Sequence, residues 1–232
     1  MPFDVLKFFL TDRPVLTRIW RGPFRGARIV MNPQHSFRKM FGFYEHELNE
    51  WLAQSLPRVT RVLDIGANDG YFTFGCAAAF RRLGKGGEII AFEAQPRHVA
   101  TLRESLAAQP DTSVRFEIVQ AFVGRELKPG MTTLDSVRWT AGNPTDRTST
   151  LVKIDVEGAE IDVLEGARSW IVTSNLFVIE VHHEAFLARL KQMFEKRGLQ
   201  LVPVNQRPLP LMSREKRKQE NWWLVSDLSA PH

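Results

Sequence analysis

An apolar run that carries an acid near its end, meets a glycine and then gives way to a helical stripe limits this chain more than any other segment. Leu151 to Val156 reads as a buried strand, and it opens the motif Lys153-Ile154-Asp155-Val156-Glu157-Gly158-Ala159-Glu160. Ile161, Leu164, Ala167 and Ile171 then recur at the spacing of one helix face. A buried strand leading into a helix is the unit of an open α/β sheet, and such sheets bind ligands beyond the carboxyl ends of their strands. Asp155 and Glu157 are two residues apart, so a strand continuing through both aims them to one side. Converging carboxylates suit positive charge, either a metal ion or a proton. Acids in a first helical turn also have an ordinary use, gaining roughly 0.3–1 kcal/mol each from the macrodipole. That use accounts for Glu160 and partly for Glu157. It does not account for Asp155, because burying a carboxylate without a partner is costly.

The rest of the chain repeats the unit. Strands are expected over 61–66, 88–93, 114–123, 151–156, 176–182, 199–204 and 222–226, with helices over 71–83, from Pro96, and through Phe186 to Gly198. The expected fold is α/β: a Rossmann-like, doubly wound, seven-stranded sheet, mostly parallel, ending in a C-terminal antiparallel β-hairpin. Pro2 to Trp51 reads as irregular, and Tyr44 to Leu56 as a helix stopped by Pro57. The chain therefore divides into an N-terminal helical or irregular appendage, 1–57, and a sheet domain, 58–232.

Composition excludes several classes. A chain of 232 residues, 44% hydrophobic and 25% charged, suits an ordinary globular domain. Its single cysteine, Cys76, cannot close an internal disulfide or build a thiolate metal cluster. No apolar run approaches the roughly 20 residues that span a bilayer, and Met1 to Leu10 lacks a signal-peptide pattern. A cytoplasmic location is the expectation. The formal charge of +5 is uneven, with Arg13, Arg18, Arg21, Arg25 and Arg28 near one end and Arg214, Lys216, Arg217 and Lys218 near the other. Such runs meet phosphates or anionic lipids, or are simply solvated. Phe3, Val5, Leu6, Phe8, Phe9 and Leu10 could form an amphipathic helix for peripheral membrane contact, or pack onto the main domain.

Val62-Leu63-Asp64-Ile65-Gly66-Ala67-Asn68-Asp69-Gly70 joins the first strand to the first helix. Gly66 permits a tight turn and Gly70 stands at the helix entry. The dinucleotide fingerprint needs a further glycine where Asn68 stands, and Asp64 disfavours a pyrophosphate. Glu93, ending the second strand, is placed to accept hydrogen bonds from a ribose diol. An adenosine bearing a cation and no phosphate is S-adenosylmethionine.

With those segments in view, the chain resembles class I S-adenosylmethionine-dependent methyltransferases, and more narrowly the FkbM family. Tyr44-Glu45-His46-Glu47, Leu63 through Gly70, Thr133-Leu134-Asp135-Ser136 and Lys153 through Gly166 carry the resemblance, over roughly residues 40 to 185. It implies O-methylation of a hydroxyl on a sugar, glycan or natural-product acceptor, with Asp64, Gly66, Ala67, Asn68, Gly70, Glu93 and Asp155 around the cofactor. The polar stretch from Arg138 to Thr150 lacks family character, which leaves the acceptor open.

An unactivated hydroxyl needs its proton removed, by a base or with a metal's help. Asp155, Glu157 and His182 are the catalytic candidates, His182 because its ordinary pKa lies near neutrality. Asp155 and Glu180 could instead hold Mg²⁺. Two rival readings are an RNA- or other nucleic-acid-directed methyltransferase and a non-catalytic S-adenosylmethionine-binding protein. Amino-directed nucleic-acid enzymes resemble one another in an Asn/Asp-Pro-Pro-aromatic motif after the fourth strand, where this chain has Asp155-Val156-Glu157, so nucleic acid is the less expected partner. Trp222 and Trp223 either stack on a sugar or pack into the core.

Overall fold

The computed structural model describes residues 11–110, 113–139, 149–208 and 221–229. Two short strands, β1 (Val15–Arg18) and β2 (Arg28–Met31), pair antiparallel ahead of the main sheet. Helices α1 (Phe37–Met40) and α2 (Asn49–Ser55) lead into β3 (Arg61–Ile65), α3 (Tyr71–Arg82), β4 (Gly87–Phe92), α4 (Pro96–Ala107) and β5 (Val114–Val119). A small parallel pair, β6 (Phe122–Val123) and β7 (Met131–Thr132), precedes β8 (Thr150–Ile154) and α5 (Glu160–Glu165). The chain then forms β9 (Leu176–Val181), α6 (Glu184–Glu195), β10 (Leu201–Pro203) and β11 (Trp222–Ser226).

Seven of these strands make one sheet in the order β10-β11-β9-β8-β3-β4-β5. β11 inserts between β9 and β10 and runs antiparallel to both, while β9, β8, β3, β4 and β5 pair in parallel. This is the seven-stranded, mostly parallel sheet with antiparallel C-terminal strands expected from the sequence. The order turns back between β3 and β8, and a crevice opens at the carboxyl ends of the strands where it does so.

Alternation along the strands sorts the core into two layers. Val62, Ile89, Leu151 and Val178 join α3 on one side, and Leu63, Ile90, Val152 and Ile179 join α5 and α6 on the other. The first layer also takes in Ile19, Phe24, Ile29, Leu48, Leu52 and Leu56, so a continuous core crosses the 57/58 boundary. Phe24 seats on Gly75 of α3, where a Cβ would come within 2.3 Å of its ring. A glycine inside a helix costs roughly 1 kcal/mol, and burying a phenylalanine returns about 1.5–3 kcal/mol.

Several boundaries differ from the sequence expectation. Pro2–Trp51 contains the β1–β2 ribbon, whose four-residue strands are too short for an alternation signal. The expected helix from Tyr44 begins only after a 3-10 turn, His46–Leu48, because Glu45 is left-handed at φ 48. Pro57 lies within a second 3-10 turn, Leu56–Arg58. The expected strand 114–123 breaks after Val119, and Phe122–Val123 leaves the sheet to pair with β7. Trp223 is fully buried and Trp222 packs against the second layer, so both serve the core. The amphipathic stretch in 1–10, the basic run 214–218 and, of the polar stretch from Arg138 to Thr150, residues 140–148 lie outside the described residues. Among the described residues no helix is long and apolar enough to cross a membrane.

Candidate active site

The site begins with two charges on adjacent strands. The parallel register of β3 and β8 sets Asp64 opposite Lys153. Both point into the α3 layer, with exposures of 0% and 4%. The Lys153 ammonium lies 3.5 Å from Asp64 Oδ1 and 3.0 Å from Asp155 Oδ2, donates to the Gly66 carbonyl at 3.3 Å, and stands 5.7 Å from the Phe72 ring. Thr73 Oγ1 donates to Asp64 Oδ2 at 2.5 Å. Burial pushes the Asp64 carboxyl up, with Lys153 and Thr73 opposing. Burial also works against charge on Lys153, but Asp155, Asp64 and Glu45 overcome it and raise its pKa. Asp64 thus neutralises a buried lysine beneath the loop, away from the cleft wall it was expected to line. A lysine in an otherwise apolar strand was the readable signal for this pairing.

Asp155 itself lies just past β8, which ends at Ile154, so Asp155 and Glu157 are not presented by a continuing strand. Asp155 N donates to the Ile65 carbonyl at 3.0 Å, and a Cβ on Gly66 would stand 1.9 Å from the Asp155 carbonyl oxygen. With φ +80, Gly66 is glycine as much for this strand-to-strand approach as for any ligand. Burial favours the neutral form of Asp155. Lys153 outweighs that, helped by a hydrogen bond shared with Glu180, and holds the carboxyl below its ordinary value. Glu157 is exposed at the rim.

Glu45 comes to the same cluster from the N-terminal segment, and the sequence assigned its side chain no role. It is 7% exposed in its left-handed conformation. Burial, with Asp155 adding and Lys153, Tyr44 and Lys39 opposing, lifts its carboxyl from 4.5 to about 7. A raised folded-state pKa means the folded protein holds this proton more tightly than the unfolded chain. The associated stability is complete below pH 4.5 and is lost as pH rises towards about 7. Glu45→Gln is expected to flatten that loss, worth about 3 kcal/mol, in denaturant melts run across the window. An unchanged pH slope in the variant counts against it.

His182 follows β9 and meets Glu160 of α5. Glu160 is fully buried, and its Oε1 accepts from His182 Nδ1 at 2.6 Å, His182 N at 3.2 Å and Gly158 N at 3.3 Å. Its Oε2 is buried with no hydrogen-bond partner among the described residues. Such one-sided burial is costly for a group that only steadies a helix. Glu160 was read from sequence as mainly a first-turn acid; the structure makes it the partner of His182. Donation from Nδ1 leaves the imidazole's free lone pair on Nε2, which stands 4.0 Å from Asp155 Oδ1. Burial pulls the His182 pKa down, but Glu160, Asp155 and Glu157 together raise it.

A cleft of about 370 Å³ opens beside this cluster, lined in part by Gly66, Asn68, Glu93, His98, Phe122 and Asp155. Glu93, 8% exposed just after β4, accepts from Asn68 N at 2.9 Å and Gln95 N at 2.8 Å. Of the expected cofactor residues, Gly66, Asn68, Glu93 and Asp155 line this wall. Ala67 is buried, and Gly70 caps α3 against Phe74 and Leu102, so both shape the loop and neither lines the cleft. Thr133-Leu134-Asp135-Ser136 serves packing: Asp135 Oδ1 accepts from Ser169 N at 3.0 Å, and the Leu134 carbonyl accepts from Trp170 Nε1 at 2.7 Å.

Asp155, Glu180 and His182 each offer a donor atom within 4.8 Å of the others. The set nevertheless fits Mg²⁺ poorly. An ammonium already holds Asp155 Oδ2 at 3.0 Å, Asn221 Nδ2 already donates to Glu180 Oε1, and one donor is nitrogen. Mg²⁺ favours oxygen ligands and near-octahedral space with several waters. Asp155 and Glu180, the residues expected to hold Mg²⁺, stand near each other but are committed to other partners.

Comparison with known proteins bears on the domain and the fold. Residues 104–201 match the Methyltransferase FkbM domain. The fold resembles the methyltransferase FkbM of Methylobacillus flagellatus KT (TM-score 0.55, 17% identity), with 73% of this chain and 44% of that one covered. It also resembles Trm5b of Pyrococcus abyssi (TM-score 0.52, 13% identity, 93% and 55% covered). M. jannaschii TYW2, solved in complex with AdoMet, gives a TM-score of 0.51 at 15% identity, with 93% and 85% covered. At these identities the likeness is one of fold. The chain spans less than half the length of the Methylobacillus protein. No curated protein matches it.

Proposed function

Taking the match of residues 104–201 to the Methyltransferase FkbM domain as the premise, we propose that the protein is an S-adenosylmethionine-dependent O-methyltransferase. On this reading the acceptor is a hydroxyl of a sugar, glycan or other natural product. The observation that carries the proposal is the pair of carboxylates, Glu93 and Asp155, set in one cleft of about 370 Å³. Glu93 suits a ribose diol, and ionised Asp155 suits the cationic end of the same ligand. Gly66 and Asn68 complete that wall. When bound, S-adenosylmethionine supplies an activated sulfonium methyl, which leaves the protein to align the acceptor and manage its proton.

His182 Nε2 takes the acceptor's hydroxyl proton. Glu160 fixes the imidazole with the lone pair on Nε2, and Asp155, whose Oδ1 stands 4.0 Å from that nitrogen, stabilises the imidazolium that forms. The donor set argues against a metal in this role. Asp155-Val156-Glu157 after β8 also lacks the Pro-Pro-aromatic sequence of amino-directed nucleic-acid enzymes, which favours a hydroxyl acceptor.

Calorimetry with S-adenosylhomocysteine tests the cofactor half. Wild-type protein is expected to bind, and Glu93→Ala to bind roughly 10–100-fold more weakly, since a charged acceptor of two hydrogen bonds is lost. Absence of binding by the wild type would remove the proposal. Transfer of labelled methyl to a candidate hydroxyl, unchanged by exhaustive chelation, is the corresponding activity assay.

A further inference from the structure

The excess positive charge of this chain is concentrated in one stretch. Arg13 to Tyr44 holds Arg13, Arg18, Arg21, Arg25, Arg28, Arg38 and Lys39 and no Asp or Glu. With +7 there and +5 overall, the remaining residues are net −2. The β1–β2 ribbon lies within this stretch. Its inner face, Thr17, Ile19 and Ile29, is buried against the core. The alternate positions Leu16, Arg18 and Trp20 turn outward, and the register sets Arg18 opposite Arg28. Leu16 is 50% exposed and Trp20 62%, beside Val15 at 39%. Arg21 and Arg25, in the turn next to Trp20, are also exposed.

The turn is held in place. Phe24 is buried edge-on to Tyr71 at 5.2 Å and Phe72 at 5.5 Å, and both Arg82 guanidinium branches donate to carbonyls of Pro23 and Arg25. Burial lowers the pKa of both Arg81 and Arg82, with Arg28 and Arg82 adding to the first shift and Arg25 to the second. Asp12, at the edge of the ribbon, is taken up by Asn32 and His35, and among the described residues no acid pairs with Arg18, Arg21, Arg25 or Arg28, so such a patch gains from an external anion. We propose that this outer face of the β1–β2 ribbon is a docking surface for an anionic lipid bilayer, with Trp20 and Leu16 entering the interface and Arg18, Arg21, Arg25 and Arg28 meeting headgroups.

Tryptophan seats well at a headgroup boundary, and arginines beside it add attraction to anionic lipid. The aliphatic Val15 and Leu16 distinguish this face from a nucleic-acid groove, which takes cations and stacking rings but has no use for exposed aliphatic side chains. Phe72, against which the turn packs, also stands 5.7 Å from the Lys153 ammonium, so the ribbon is anchored on the helix that backs the candidate site. The inference does not depend on the methyl-transfer reading.

Flotation of the full chain with vesicles tests it. Vesicles of phosphatidylcholine with about one-third phosphatidylserine are expected to bind at least roughly tenfold more tightly than phosphatidylcholine alone, and less tightly in roughly 0.5 M salt. Arg18→Glu with Arg21→Glu, and separately Leu16→Ser with Trp20→Ser, are each expected to weaken binding about tenfold while thermal midpoints hold. Trp20→Phe should remove the blue shift in tryptophan emission on vesicle addition. The proposal is overturned if wild-type protein ignores anionic vesicles, or if Leu16→Ser with Trp20→Ser leaves vesicle binding intact. It is equally overturned if these substitutions abolish RNA binding or dimerisation while vesicle binding persists.

Discussion

Lys153→Met is expected to destabilise the protein by about 3–5 kcal/mol, because it removes the cation and leaves Asp64 and Asp155 facing each other in the interior. For a chain of this size, that should lower the thermal midpoint by roughly 10 °C. Methionine preserves most of the volume, so lost packing contributes little. The direction with pH follows from the carboxyls left behind. Without Lys153, protonation relieves both acids, so the variant should be least stable relative to wild type above neutrality and recover as pH falls. Asp64→Asn added to Lys153→Met should restore a substantial part of the loss, since Asparagine can still accept from Thr73. A small pH-independent effect of Lys153→Met would mean that the ammonium is not the counter-ion of this cluster.

His182→Ala is expected to slow methyl transfer by about 10²–10⁴-fold at neutral pH, with little change in S-adenosylhomocysteine affinity. A base must be unprotonated to act, and the partners of His182 raise its pKa, so the rate should climb as pH passes through that raised value. Glu160→Gln removes a carboxylate from Nδ1 and should move this limb to lower pH while reducing the maximal rate. A structural role alone would lower the rate without moving the limb. Near-wild-type turnover in His182→Ala would pass the base role to another group, with Asp155 the next to examine.

The sequence alone carried the sheet well. Apolar runs of five or six residues followed by helical stripes are local signals, and they placed β3, β4, β8, β9 and β11 within a residue or two. The same locality exposed Gly66 and Glu93, since a loop glycine and a strand-end acid announce themselves by position. The β1–β2 ribbon was invisible because its strands are four residues long and held by contacts with α3 and α4 rather than by their own pattern.

The cluster around Lys153 shows the limit most clearly. Residue types and spacing determined that a buried strand would carry a lysine and end beside an acid, and that both would need partners. They could not determine which partners. Asp64 became the counter-ion of Lys153 through the β3–β8 register, Glu45 reached the same charges from more than a hundred residues upstream, and Glu160 left its helix-end role for His182. Local sequence sets how strongly a side chain seeks neutralisation, because desolvation depends on its own strand or helix. Only the tertiary structure decides what supplies it, because the Coulomb term depends on distances that chain-remote elements create when they pack.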